Sequence, residues 1–126
     1  MKSRRVSFFL MAVVFLIVSS PVFAHHGGSA YDHTTVITVR GTVVDFQFVN
    51  PHVQIYFDAK DDKGNVIKWQ AESNSPNTLT RMGWSKNILK PGAQITVSGY
   101  RAKNGSPLMH VVKIVLSNGT ELDVEA

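Results

Sequence analysis

The chain has 126 residues, 44% of them hydrophobic, which is enough for one domain with one modest core and leaves no room for a second. Of its 13 Lys and Arg, three lie within the first five positions; beyond residue 24, ten basic residues face nine acidic ones, so the basic footprint of a nucleic-acid-binding surface is missing. No cysteine is present, which excludes disulfides, a thiol nucleophile and thiolate metal sites, and leaves histidine, carboxylate or a free amino terminus as metal donors.

In chain order, Lys2, Arg4 and Arg5 precede an uninterrupted apolar run from Phe8 to Val18, and Val22-Phe23-Ala24 has the small residues of a cleavage site. The pattern predicts a secretory signal peptide over residues 1–24, since the apolar run is too short to span a membrane. Cleavage after Ala24 would place the mature chain in the periplasm or outside the cell, beginning at His25-His26. Residues 25–35 (HHGGSAYDHTT) hold three of the five histidines and two glycines with no apolar period, and are expected to be a flexible arm. The folded domain is expected over residues 36–126.

Two β-rich runs follow, Val36 to Val49 and Val53 to Ala59, joined at Asn50-Pro51-His52, where proline cannot donate to a ladder and forces a corner. Within the first run the apolar phase changes. Ile37, Val39 and Val43 share one alternation, while Val44, Phe46 and Phe48 share the other. One extra residue between Gly41 and Val44, a bulge, keeps both sets facing one core and bends the strand. After the polar turn at 61–65, Val66 to Glu72 reads as a third strand with Ile67, Trp69 and Ala71 inward. Ser75-Pro76 then provides an N-cap and a first-turn proline for a short helix carrying Leu79 and Met82 and ending at Gly83. Lys90-Pro91-Gly92 returns the chain to a strand from Ala93 to Tyr100. The Asn104-Gly105 turn leads to another from Met109 to Leu116, and Leu122 and Val124 form a terminal fragment after Asn118-Gly119.

Three strands, a short helix and two strands is the order of an all-β, five-stranded Greek-key barrel of the OB-fold type, with the helix plugging one end. HH near the start, YD, GTV, F-x-NPH, W-x-x-E, SPN before the helix, GW, L-K-PG and V-x-GY together resemble DUF6152, a family of small bacterial periplasmic proteins with no established activity. The most specific pieces are Asn50-Pro51-His52, Ser75-Pro76-Asn77, Gly83-Trp84 and Pro91-Gly92. The resemblance implies a periplasmic single-domain protein and leaves the chemistry open.

The sharpest chemical feature is the mature amino terminus. A terminal His25 offers its α-amine and a ring nitrogen to one metal, and His26 adds another imidazole, a nitrogen set suited to copper(II) or zinc and similar to the histidine brace of copper proteins. The alternative is a polar arm with adventitious copper affinity. His33, His52 and His110 are the further metal candidates. His110 falls in phase with Val112, Ile114 and Leu116, which predicts its ring on or beside the inner face of the barrel. His52 sits at the corner, where the plainer role is a ring hydrogen bond to a backbone carbonyl that locks the turn.

A competing reading places a protein or small ligand on the barrel face and corner, with Asn50, His52, Tyr56 and Trp84 exposed and the histidines holding no metal. Tyr56 and Tyr100 alternate with inward residues and should face outward, although their basic neighbours are too few for a nucleic-acid groove. Trp69 and Trp84 otherwise read as core. No G-x-S-x-G and no glycine-rich phosphate loop is present, and Asp45 and Glu72 on separate strands are not a legible carboxylate pair. The expectation is a non-enzymatic binding or accessory module, with copper or zinc as its only candidate cofactor.

Overall fold

The computed structural model describes residues 28–125. The first strand, β1, runs over Tyr31–Gln47, and β2 over Gln54–Lys60 pairs antiparallel with its second half, from Thr42↔Asp58 to Gln47↔Gln54. The first half of β1 pairs instead with β4 (Gln94–Ala102), from Val36↔Tyr100 to Thr42↔Gln94. One long bent strand therefore serves two neighbours, as the phase change in its sequence demands. The register shifts between Val43 and Asp45, so the bulged residue is Val44. Phe46 and Phe48 pack on the core along with Ile37, Val39 and Val43. Val44, expected inward with Phe46 and Phe48, is 52% exposed, because a bulged residue has no partner on the ladder and is turned out of it.

β3 (Val66–Glu72) pairs antiparallel with β2, and β5 (Leu108–Leu116) with β4. The ring closes where β3 and β5 pair in parallel through Gln70↔Leu108, Ala71↔Met109 and Glu72↔His110. A short β6 (Glu121–Asp123) adds to β5. Between β3 and β4, α1 spans Pro76–Arg81; the Ser75 hydroxyl accepts from the Thr78 N–H, and Gly83 beyond the helix adopts φ +91°, a left-handed conformation that ends it. Leu79 from this helix is fully buried beside Ile55, Phe57, Ile95, Met109 and Ile114 and plugs one end of the barrel. The order of pairing is that of an OB-fold, as expected.

Two expectations are corrected. The arm was expected to run to Thr35 with the first strand starting at Val36. Instead Gly28–Ala30 form a 3-10 turn and Tyr31 already belongs to β1, opposite Ala102, with the Lys103 N–H donating to the Ala30 carbonyl. Between Tyr31 and Val36 the register shifts, and Asp32 accepts hydrogen bonds from the Thr34 backbone and hydroxyl within that excursion. Polar residues hid this strand because its order comes from β4 and not from an apolar face. The second correction concerns β5, where Ser98↔Lys113 is followed by Gly99↔Val111, so Val112 is the extra residue. Met109 and Val111 point inward on one side of the bulge and Ile114 on the other, which leaves His110 on the outer wall, contrary to its phase with Ile114.

Candidate functional site

The parallel closure sets Glu72 and His110 side by side as ladder partners, each flanked by fully buried residues that face the core: Ala71 before Glu72, Met109 and Val111 around His110. Both side chains therefore lie outward on one wall. Tyr31 packs across this wall. Its ring is 5.6 Å from that of His110, and its hydroxyl donates to Glu72 Oε2 at 3.0 Å, so the residue is nearly fully buried.

The corner between β1 and β2 brings His52 to the other side of Glu72. The Asn50–Pro51 peptide is cis, and beyond it the Val53 N–H donates to the Asn74 carbonyl while the Ser73 N–H donates to that of Val53. This pairing leaves the Ser73 carbonyl facing the His52 ring, with Nδ1 at 3.2 Å. A carbonyl only accepts, so Nδ1 carries the proton and the turn-locking role read from the sequence is present. His52 Nε2 then faces Glu72 Oε1 at 3.7 Å. In the neutral ring Nε2 is an acceptor, so the two groups face each other as acceptors across a gap that is open to solvent.

Burial pushes the His110 imidazole below its ordinary pKa; the Glu72 and Glu125 carboxylates pull it upward without overcoming burial, and His33 and His52 add to the depression. The Tyr31 phenol is pushed up, first by burial, then by its hydrogen bond to Glu72 and the charge there. Both shifts favour the neutral form of the group beside a carboxylate.

Of the predicted metal candidates, His52 and His110 share this wall around Glu72. His33 packs against Tyr100 with ring centroids 4.6 Å apart and planes tilted by 50°, further along the same outer surface. His25 and His26 lie outside the described residues. Among the described residues no group of three His, Asp or Glu side chains could hold a metal ion. Glu72, weighed in the sequence only as half of a carboxylate pair with Asp45, is the centre of the cluster; no local signal gives the nonlocal register that puts it there.

Of the predicted ligand-binding residues, Asn50 and His52 are exposed and Tyr56 is half-buried on the outer face, alternating with Ile55 and Phe57. Trp84 is not exposed. It is 3% accessible, packs against Phe46, and donates its indole N–H to the Asp123 carbonyl at 3.0 Å, because the chain after α1 must cover the barrel end. That part of the binding-face reading is corrected: Trp84 is core.

An OB-fold barrel with a His–Glu–His–Tyr cluster at its seam is the class that fold and geometry define. The sequence matches the family of unknown function DUF6152 over residues 13–109, and the chain belongs to that family. The comparison with curated proteins gave no match. Among solved structures the chain is similar to the mitochondrial single-stranded DNA-binding protein Rim1 of S. cerevisiae, with a TM-score of 0.50 and 10% identity over 66% of this chain and 93% of that one. It is also similar to a chain in the structure of yeast Stn1 and Ten1, with a TM-score of 0.43 and 17% identity, covering 65% of this chain and 42% of that one. At these identities the likeness concerns fold. Among the described residues no helix is long and apolar enough to cross a membrane.

Proposed function

We propose that the protein is an exported, non-enzymatic OB-fold binding module in which the barrel wall and the amino-terminal histidines together hold one transition metal ion, copper(II) or zinc. The observation that carries this reading is the opposition of His52 Nε2 and Glu72 Oε1 at 3.7 Å, with the His52 tautomer fixed by the Ser73 carbonyl. With metal–ligand bonds of about 2.1 Å, two donors at that separation subtend roughly 120° at a shared ion, an ordinary angle for a four-coordinate site. A backbone carbonyl accepting from the far ring nitrogen is a common way to fix the orientation and tautomer of a ligating histidine. Two donors are too few, and the amino-terminal histidines are the proposed source of the rest: Tyr31 is seated on Glu72, and five residues separate it from His26, about 17 Å at full extension. With signal cleavage after Ala24, His25 brings an amine and an imidazole and His26 a second imidazole.

What Rim1 binds is no guide to this chain, because ten basic residues against nine acidic ones beyond residue 24 provide no phosphate-neutralising surface. The test is copper(II) titration of protein whose first residue is confirmed as His25 by mass spectrometry, alongside a form with one added N-terminal glycine and the His52→Ala and Glu72→Gln variants. The expected result is one tightly bound copper with a nitrogen-rich spectrum, weakened at least tenfold by the glycine and by either substitution. Equal, weak binding by all four forms would overturn the metal reading and leave capture of a protein or small ligand at Asn50, His52 and Tyr56.

A further inference from the structure

On the opposite side of the molecule's chemistry, β1 parts from β2. Their ladder ends at Thr42↔Asp58, while β1 continues on β4 through Gly41↔Ile95 and Arg40↔Thr96, and β2 continues on β3 through Ala59↔Ile67 and Lys60↔Val66. The parting is sharp because β1 passes hard against β2 just before it: a Cβ on Gly41 would stand 2.5 Å from the Asp58 carbonyl oxygen and 2.6 Å from the Phe57 ring. Beyond that crossing the sheet opens into a cleft of about 360 Å³, lined by Arg40, Thr42, Asp58, Lys60, Val66 and Gln94.

Continued ladder pairing would have set Arg40 against Lys60, a like-charge pair directly across two strands. The cleft separates them and lets both cations face one space. Asp58 borders the same space, and none of the three is ion-paired: the ion pair among the described residues is Lys113–Glu121, and the one further close approach of a basic side chain to a carboxylate is that of the His52 ring to Glu72. Asp61, next along the chain from Lys60, is engaged by the amides of Lys63 and Asn65 and by the Asn65 side chain. Val66, 55% exposed, supplies the apolar part of the lining.

We propose that this cleft binds a small zwitterion, a free amino acid or dipeptide with an apolar side chain. Its carboxylate lies between Arg40 and Lys60, its ammonium on Asp58, and its side chain against Val66. The volume is at the small end of ligand sites and fits a molecule of this size. Arg40 provides the forked donor that suits a carboxylate, and Lys60 a point charge beside it. Thr42 and Gln94, cross-strand partners on β1 and β4, add a hydroxyl and an amide at the rim. The site is independent of the His52–Glu72 wall and of any metal there.

The test is two-dimensional ¹H–¹⁵N NMR of the full mature protein, titrated separately with L-leucine, with acetate and with isobutylamine. The expected result is saturable shifts for L-leucine in the millimolar range, confined to residues around 40–42, 58–60, 66 and 94, with at least tenfold weaker responses to acetate and to the amine. Arg40→Gln with Lys60→Gln should abolish the leucine response, and Asp58→Asn should reduce it at least fivefold while leaving any acetate response intact. All three positions are on the surface, and the spectrum of each variant reports directly whether the fold is kept. Absence of saturation with leucine, equal shifts from acetate, or an unchanged response in the double Gln variant would overturn the assignment.

Discussion

Tyr31→Phe isolates the contact that ties the start of the described chain to the barrel wall. The substitution keeps the ring against His110 and removes only the hydroxyl, which donates to Glu72 Oε2 at 3.0 Å. A hydrogen bond to a charged acceptor contributes about 1.5–3 kcal/mol net, and the lower end applies here because the Glu72 side chain is 24% exposed and water can replace the lost donor. A loss of about 1.5 kcal/mol is therefore expected, equivalent to a fall of roughly 6–12 °C in the thermal midpoint of a domain of this size. Urea denaturation followed by tryptophan fluorescence measures it well, since Trp69 and Trp84 are both buried and must be exposed on unfolding. A double-mutant cycle with Glu72→Ala should return a coupling of about 1–1.5 kcal/mol, and hydrogen exchange should quicken at the Lys103 amide, which donates to Ala30. If Tyr31→Phe unfolds at the wild-type urea concentration, or costs the same in the Glu72→Ala background, the phenol does not anchor the chain and the reasoning fails.

Gly99→Ala should be the most damaging small substitution, because its Cβ would lie 2.3 Å from the His110 carbonyl oxygen, a backbone atom fixed by the β4–β5 ladder. A loss of about 3 kcal/mol is expected, the upper end for overpacking, with a retained wild-type urea midpoint as the refuting result. Ser75→Ala removes the hydroxyl that accepts from the Thr78 N–H and should cost about 1 kcal/mol in the same assay, with Ser75→Asp restoring it. For pH, burial lowers the folded-state pKa of His110 from 6.5, so in the window below that value the unfolded chain binds more protons than the folded one. Stability of the metal-free protein should be fully present above about pH 6.5 and decline as the pH falls through this window. His110→Gln should flatten that decline in urea midpoints; an unchanged slope would assign it to other groups.

Much of the barrel was legible in local signals. The phase break between Val43 and Val44 required a bulge, and β1 has one; the Ser75-Pro76 start required a helix between the third and fourth strands, which is the diagnostic position for an OB topology. The parts that misled were those set by nonlocal pairing. Residues 109–116 are almost continuously apolar, so the sequence contains nothing to place a bulge at Val112, and the phase of His110 came out inverted. Tyr31–Thr35 carry no apolar alternation and looked like an arm, although the ladder partner Ala102 and the Glu72 carboxylate hold their first residue in place. Trp84 follows a glycine in a polar stretch, and its burial depends on a C-terminal strand that approaches from 39 residues away.

The position of the cluster follows from how an OB barrel closes. Antiparallel neighbours joined by hairpins bring together residues close in sequence, but the β3–β5 seam is parallel and joins residues 38 apart, Glu72 and His110, with an outward side chain from each. The corner after β1 then lies beside the exit of β3, because Val53 and Ser73 exchange backbone hydrogen bonds there, and this delivers His52 to the far side of Glu72. The start of β1 reaches the same seam through Tyr31. Four separate segments thus meet at one carboxylate without any of them forming a recognisable motif alone. Glu72 divides its oxygens between two demands, Oε2 accepting from a phenol that stays protonated and Oε1 facing an imidazole whose proton is on the other nitrogen. The first contact is a completed hydrogen bond, whereas the second leaves Oε1 and Nε2 3.7 Å apart with both groups open to solvent, so the His52 side of the carboxylate is the side still open to a further donor.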